Sequence, residues 1–170
     1  MSRLLALGVL FASSAFAADG GAKGPLFVPV EVLDVIDADE GFAVLLLQPQ
    51  QHLVLPLFVG PMEGLAIRQR LEKLHPVRPM THDLLEDVIT GLGAKLLRVE
   101  IDDLKANTFL GRLVLEQQKK LITLDARPSD SIAIALGLGA PILVSQAVLQ
   151  RAGVPQDGSA APKGPKTETL

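Results

Sequence analysis

The stretch Leu124–Ile142, LDARPSDSIAIALGLGAPI, decides the fold because a strand, a helix and a second strand follow one another within it. The apolar run before Asp125 predicts the end of a strand. The residues after Asp130 predict a helix of about ten residues with one face toward the core. APILV (140–144) then predicts a short buried strand. We expect the inward face of the helix to hold Ile132, Ala133, Ala135 and Leu136.

Upstream, three strand-like runs open the folded part of the chain. LFVPVEVLDVI (26–36) alternates β-branched and polar residues. FAVLLLQ (42–48) and HLVLPLFVG (52–60) are nearly continuous apolar runs, which predicts central strands buried on both faces. Pro56 cannot donate a backbone hydrogen bond and predicts a bulge or an unpaired position in its strand.

Two helices are predicted next. An apolar stripe follows Pro61, a residue suited to a first helical turn; it holds Met62, Leu65, Ala66, Leu71 and Leu74. Thr81 then predicts the N-cap of a second helix, HDLLEDVITGLG (82–93). The inward face expected for this helix holds Leu84, Leu85, Val88, Ile89 and Leu92.

A second block of strands leads into the opening stretch. KLLRVEIDDL (95–104) alternates, and TFLGRLVLE (108–116) and KLITLDA (120–126) predict a hairpin. SQAVLQRAG (145–153) predicts a last helix between a Ser N-cap and a Gly C-cap. The order βββ-αα-βββ-α-β-α predicts the α+β class, as a single compact domain over residues 26–154 with a mixed β-sheet and about four helices.

The first residues have the pattern of a secretory signal peptide. Arg3 precedes an apolar run, and Ala15-Phe16-Ala17 fits a small-x-small cleavage site. Cleavage after residue 17 predicts a periplasmic or secreted protein, with an uncleaved anchor as the alternative. Residues 18–25 are predicted to be a flexible lead-in, and residues 155–170 a disordered tail.

The composition excludes several classes of function. The 170 residues include no Cys, Trp or Tyr, which excludes disulfides, thiolate metal sites and cysteine nucleophiles. His52, His75 and His82 lie in separate segments and lack the i, i+4 spacing of a helical zinc motif. The formal net charge of −3 disfavours a protein that coats nucleic acid through a broad basic field.

The densest polar cluster comprises Asp125, Arg127, Ser129 and Asp130. Two converging carboxylates, Asp125 and Asp130, can bind Mg²⁺ or Mn²⁺ and activate water. Arg127 can grip a phosphate in a fork, close to a helix start that favours anions. The same residues also fit a structural role, in which Ser129 caps the helix and Arg127 neutralises Asp125. The residue pattern by itself favours the structural role.

Two further positions are candidates for chemistry. His82, beside Asp83, can act as a general base because histidine side chains in general titrate near neutral pH. The alternative is a surface residue in a helical first turn that Thr81 caps. Glu63 is a lone acid at the start of an apolar helix, where it can reach a site or only complement the helix dipole.

Three stretches resemble the bifunctional nuclease, or BFN, domain family. They are LPLFVGPMEGLAI (55–67), RPMTHDLLEDVITGLGAKLLRVEIDDL (78–104) and residues 108–154, which include DARPSDSIAIA. The resemblance implies a compact α+β fold, DNase and RNase activity, and self-association into a homo-oligomer. Its motif positions here are Glu63, Arg78, Thr81, His82, Asp83, Asp125, Arg127, Ser129 and Asp130.

Resemblance and chemistry together give the leading hypothesis, an exported nuclease that acts on DNA or RNA. Asp125 and Asp130 would hold a divalent cation, Mg²⁺ or Mn²⁺, and Arg127 would contact phosphate. His82 would assist proton transfer, with Glu63 and Asp83 as further catalytic candidates. The alternative is a non-catalytic binding or assembly module, in which the polar motifs are caps and ion pairs and Asp125–Arg127 is a buried structural pair.

Overall fold

The structure, a computed structural model, describes residues 24–74 and 76–157. The predicted signal peptide, the lead-in up to residue 23, His75 and the tail after residue 157 lie outside the described residues. No helix within the two described ranges is long and apolar enough to cross a membrane. The elements are β1 (Phe27–Ala38), β2 (Gly41–Gln48), β3 (Leu53–Val59), α1 (Pro61–Leu71), α2 (Thr81–Gly91), β4 (Ala94–Lys105), β5 (Thr108–Gln117), β6 (Lys120–Ala126), α3 (Pro128–Leu138), β7 (Ile142–Ser145), α4 (Gln146–Ala152) and β8 (Val154–Pro155).

The eight strands form one mixed sheet in the order β6-β5-β4-β7-β1-β2-β3-β8. β4 and β7 pair in parallel, and the other neighbours pair antiparallel. The predicted α+β class and the order βββ-αα-βββ-α-β-α are confirmed. The added element is the two-residue strand β8, which pairs with the start of β3, and the backbone N–H of Gln156 then donates to the carbonyl of His52.

Helix α3 occupies the centre of the core. It packs against α1, α2, β4 and β5, and Ile132, Ala133, Ile134 and Ala135 are all buried. Its alanines keep it thin enough to be enclosed by two helices and the sheet, so a helix that is apolar nearly all round is accommodated. The core residues that the other elements add include Val44, Leu46, Leu55, Leu57, Val99, Ile101, Leu113, Leu115, Ile142 and Val144 from strands and Ala66, Ile67, Ile89, Val148 and Leu149 from helices.

The predicted central position of the third strand is wrong, because β3 lies next to the end of the sheet. Only β8 lies beyond it, and β8 pairs with Leu53 and Val54 alone. Pro56 causes no bulge and stands opposite Leu45 in an uninterrupted register with β2. The missing N–H is tolerated because β8 does not extend along β3 to this residue.

The predicted cap and inward face of α2 are also wrong. Met80 is the N-cap and Thr81 the first helical residue, while the Asp83 carboxylate accepts a hydrogen bond from Met80 N at 2.8 Å. Of the predicted apolar face only Ile89 is buried. The reason is that α3 and β4 cover one narrow side of α2 and leave the rest of its apolar stripe in solvent; the exposed members are Leu84, Leu85, Val88 and Leu92.

Gly137 sets the distance between α2 and α3. A Cβ at this position would overlap the carboxylate of Glu86. That carboxylate accepts hydrogen bonds from Arg70 of α1, at 2.6 Å from Nη2 and 3.0 Å from Nε. The missing side chain therefore lets one acid of α2 lie against α3 and reach α1.

Gly137→Ala is expected to lower the free energy of unfolding by about 1–3 kcal/mol, because the added methyl must push Glu86 off Arg70. Chemical denaturation measures this change. Gly91→Ala is the matched control, since a Cβ at that helical glycine meets nothing within 4 Å and should be neutral or slightly stabilising. Equal effects of the two substitutions would contradict this account of the close approach.

Candidate functional site

The first turns of α1, α2 and α3 each carry an acid as their third helical residue. These acids are Glu63, Asp83 and Asp130. A carboxylate is stabilised there by the positive end of the helix dipole and by free backbone N–H groups. Gly60, the N-cap of α1, gives Glu63 its room, since a Cβ on Gly60 would lie 2.6 Å from Oε2.

Arg127 joins two of these helix starts. It is the N-cap of α3, and its guanidinium turns toward α1. Nη2 donates to Glu63 Oε1 at 2.8 Å, Nε donates to Asp130 Oδ2 at 2.7 Å, and Nη2 also reaches Asp130 Oδ1 at 3.1 Å. The side chain is still 66% exposed, and Nη1 makes no hydrogen bond with any described residue. Two N–H groups therefore remain available to an anion.

His82 brings the third helix start to the same carboxylate. Its Nε2 lies 3.1 Å from Asp130 Oδ1, and the imidazole is largely buried. An ionised carboxylate only accepts hydrogen bonds, so this contact assigns the proton of a neutral imidazole to Nε2. Nδ1 then carries the free lone pair, and within the described ranges it has no hydrogen-bond partner. The arrangement can accept a proton at Nδ1.

The charges of the cluster support one another. Burial raises the pKa of Asp130, but hydrogen bonds from Arg127 and His82 outweigh it, and the net pKa lies below the usual value. Hydrogen bonds to Asp130 and then to Glu63 raise the pKa of Arg127 further above its already high value. Asp130 is thus held ionised and Arg127 is held cationic.

A second cluster, around Arg70, was not predicted. Arg70 is nearly buried and donates to Asp83 Oδ1 at 2.5 Å and to Glu86 Oε1 at 2.6 Å. Burial raises the pKa of Glu86 and outweighs the lowering by Arg70. The one available signal was that Asp83 and Glu86 lie three residues apart and so share a helix face. Asp83, a predicted catalytic candidate, is committed to this ion pair and to the Met80 backbone.

Four predicted positions are not joined to the Arg127 cluster. Asp125 is exposed and makes no hydrogen bond or ion pair with the described residues, so the predicted Asp125–Arg127 pair is wrong. Asp125 is still in β6, whereas Arg127 has left the strand and turns toward α1. Arg78 is likewise exposed and unpaired within residues 24–74 and 76–157. Ser129 is buried and does not cap α3, and Thr81 does not cap α2.

The predicted metal ligands can be compared with the donors present. In the described part of the chain, no three acidic or histidine side chains are placed to hold one ion. Both oxygens of Asp130 already accept hydrogen bonds, and Asp125 has no contact with Asp130. This donor set does not fit a divalent cation in the arrangement seen, and metal binding by Asp125 and Asp130 stays a prediction.

Residues 44–157, about two thirds of the chain, match the bifunctional nuclease domain. The match covers every element from the middle of β2 to β8, including the three helix starts described above. The chain therefore belongs to the bifunctional nuclease domain family.

Two relatives place it within that family. An uncharacterized protein of Mycobacterium tuberculosis is 45% identical over 100 residues, 59% of this chain and 59% of the relative. Bifunctional nuclease 2 of Oryza sativa subsp. japonica is 25% identical over 114 residues, 65% of this chain and 35% of the plant protein. The chain thus spans less than two thirds of the length of either relative.

Asp130→Asn should cost about 1–3 kcal/mol of unfolding free energy at pH 7, because it removes a partly buried charged acceptor. Since the folded-state pKa is lowered, the contribution of the carboxylate is complete above the unfolded pKa of about 4 and is lost as the pH falls below it. The difference between wild type and variant should therefore shrink toward acid pH.

Urea denaturation at several pH values measures this difference. Asp39→Asn is the control, because Asp39 is exposed and has no ion pair among the described residues. A difference for Asp130→Asn that is constant from neutral to acid pH would argue against an ionised Asp130 in the folded protein.

Proposed function

We propose that this protein is an exported nuclease that hydrolyses phosphodiester bonds of DNA or RNA at the Arg127 cluster. The observation that carries the proposal is that one carboxylate, Asp130, holds both an exposed guanidinium and a histidine with a free ring nitrogen. Membership in the family and the names of the rice relatives support the reaction class. Export rests on the N-terminal pattern, and self-association on the family resemblance.

Arg127 would bind the scissile phosphate. Its two free Nη1 protons face away from the partners Glu63 and Asp130 and can donate to phosphate oxygens. The positive ends of three helices add to the attraction, although Glu63 and Asp130 offset part of it. The exposed position at the surface suits a long polymeric substrate better than a small enclosed one.

His82 would handle the proton of the attacking water. Nδ1 accepts a proton from water while the water oxygen forms a bond to phosphorus. The bond between phosphorus and the leaving sugar oxygen breaks, and that oxygen takes its electron pair and a proton from solvent. The products are a phosphomonoester end and a free hydroxyl. Asp130 orients the imidazole and stabilises the imidazolium that forms.

The test is cleavage of single- and double-stranded DNA and RNA by the purified protein, with Mg²⁺, Mn²⁺ or EDTA. His82→Gln should lower kcat/KM by about 10²-fold or more, because Gln keeps a donor toward Asp130 but cannot take up a proton. His52→Asn is the control, since His52 lies in a turn at a φ of 52°, which Asn tolerates. Full activity in His82→Gln or in Asp130→Asn would refute the assigned site.

The same assay tests the metal prediction separately. Loss of cleavage in EDTA together with loss in Asp125→Asn would support a cation held by Asp125 and Asp130. Cleavage that persists in EDTA and in Asp125→Asn would remove Asp125 from the chemistry and leave the roles of Arg127 and His82 unchanged.

The second candidate function is a non-catalytic binding or assembly module. It is favoured by the pairing of Glu63, Asp83, Glu86 and Asp130 with arginines that bridge different helices. In this case the network only holds α1, α2 and α3 together.

Arg127→Met and Arg70→Met separate the two functions. Arg70 is nearly buried, so its loss should cost about 3–5 kcal/mol of unfolding free energy whichever function is correct. Arg127 is exposed, so its loss should cost about 1 kcal/mol or less and, in a nuclease, abolish cleavage. A large loss of stability for Arg127→Met without any wild-type cleavage would favour the module.

A further inference from the structure

The edge strand β6 and helix α2 carry an unusual share of the exposed apolar surface. Seven of the fifteen large apolar side chains that are exposed among the described residues belong to these two segments. They are Leu84, Leu85, Val88, Leu92, Leu121, Ile122 and Leu124. Concentrated apolar exposure of this kind marks an interaction surface more often than scattered single residues do.

The two segments lie side by side. At the start of α2, His82 contacts Asp130, close after the end of β6, and at its end the carbonyl of Leu92 accepts a hydrogen bond from Gln117 at 2.7 Å. Gln117 stands opposite Lys120, the first residue of β6. The helix therefore spans the strand from one end to the other.

The side chains of β6 also face the same way as α2. Ile122 and Leu124 stand opposite Leu115 and Leu113, which point into the core on which α2 packs. We call the exposed side chains of α2 together with β6 the α2–β6 surface.

The outer edge of β6 is open and regular. Its pairing with β5 has no bulge, and β6 is the last strand of the sheet on this side. Gln118 and Lys119 form a two-residue turn with φ of 50° and 64°, as in a type I′ hairpin, which makes Gln117 and Lys120 a hydrogen-bonded pair. Alternation along the ladder then leaves the N–H and C=O groups of Leu121, Thr123 and Asp125 pointing outward. An edge without a bulge or proline is a template for another strand.

We propose that the α2–β6 surface is the interface of a two-fold symmetric homodimer, in which β6 pairs antiparallel with β6 of a second copy. A two-fold axis normal to the sheet requires each residue to face one of the same side, and overlap of the whole strand centres the pairing on Thr123. Ile122 then lies opposite the partner's Leu124, and Thr123 opposite the partner's Thr123. The two α2 helices flank the axis on one face of the joined sheet.

The charges of the strand agree with this register. β6 begins beside Lys119 and Lys120 and ends at Asp125, so antiparallel self-pairing brings a basic end to an acidic end. Lys119 lies diagonal to the partner's Asp125 on the same face, within reach of a lysine side chain. Neither Lys119 nor Asp125 has an ion pair within the described part of one chain. A second copy thus supplies a partner for the motif residue that the Arg127 cluster leaves out.

The first test is the mass of the full chain in solution by light scattering and sedimentation. We expect twice 18.0 kDa for wild type and at least a tenfold weaker dimer for Leu124→Lys. Leu33→Lys is the matched control, because Leu33 is also a strand leucine and is 47% exposed against 48% for Leu124. Unchanged far-UV circular dichroism shows that the variants fold.

The second test is a charge exchange. Lys119→Asp and Asp125→Lys should each weaken the dimer, and the double variant should recover most of the loss, because the opposite charges face each other again. Recovery is not expected from an occupant other than a second copy.

Three outcomes overturn the proposal. They are a wild-type monomer at about 0.1 mM, where even weak specific dimers form, an assembly larger than two chains, and dissociation by Leu33→Lys but not by Leu124→Lys. The inference does not rest on the nuclease proposal, and dimerisation and cleavage are measured independently. A dimer without cleavage would leave the interface standing and remove the nuclease.

Discussion

The enclosure of α3 is the constraint on which the rest of the structure depends. Ile132, Ala133, Ile134 and Ala135 are buried on every side, so the helix cannot shift or rotate without opening the core. Its N-terminal turn is fixed with it, and that turn holds Arg127 and Asp130. The surface cluster therefore inherits its geometry from apolar packing a few residues away.

Local patterns in the sequence were sufficient for most of the fold. The hairpin of β5 and β6, the helix after Asp130 and the Ser145 cap of α4 follow from periodicity, turn and capping residues within a few positions. The place of β3 was not predictable in this way. A continuous apolar run predicts burial, and α4 with the two-residue β8 buries β3 as effectively as a full strand would. The exposed stripe of α2 shows the converse, since an amphipathic pattern does not say what covers it.

The candidate site was predictable in its residues but not in its pairings. Glu63, His82, Arg127 and Asp130 all belong to motifs visible in the sequence, and the structure joins them. Their partners come from helix starts that are distant in sequence, so no local rule could assign them. The sequence suggested Asp125 as the partner of Arg127 because the two are close along the chain, but the chain changes direction between them. Arg70 was missed for the same reason, because its two acids lie on another helix.

Asp130 touches both Arg127 and His82, and this sharing has a thermodynamic consequence. Any anion that draws the guanidinium away from Asp130 changes the negative charge that the imidazole senses. Anion binding at Arg127 and protonation of His82 are therefore linked equilibria, and each alters the other by the same coupling free energy. Two side chains on different helices act as one cooperative unit through a single carboxylate, and the effects of substituting them cannot be expected to add.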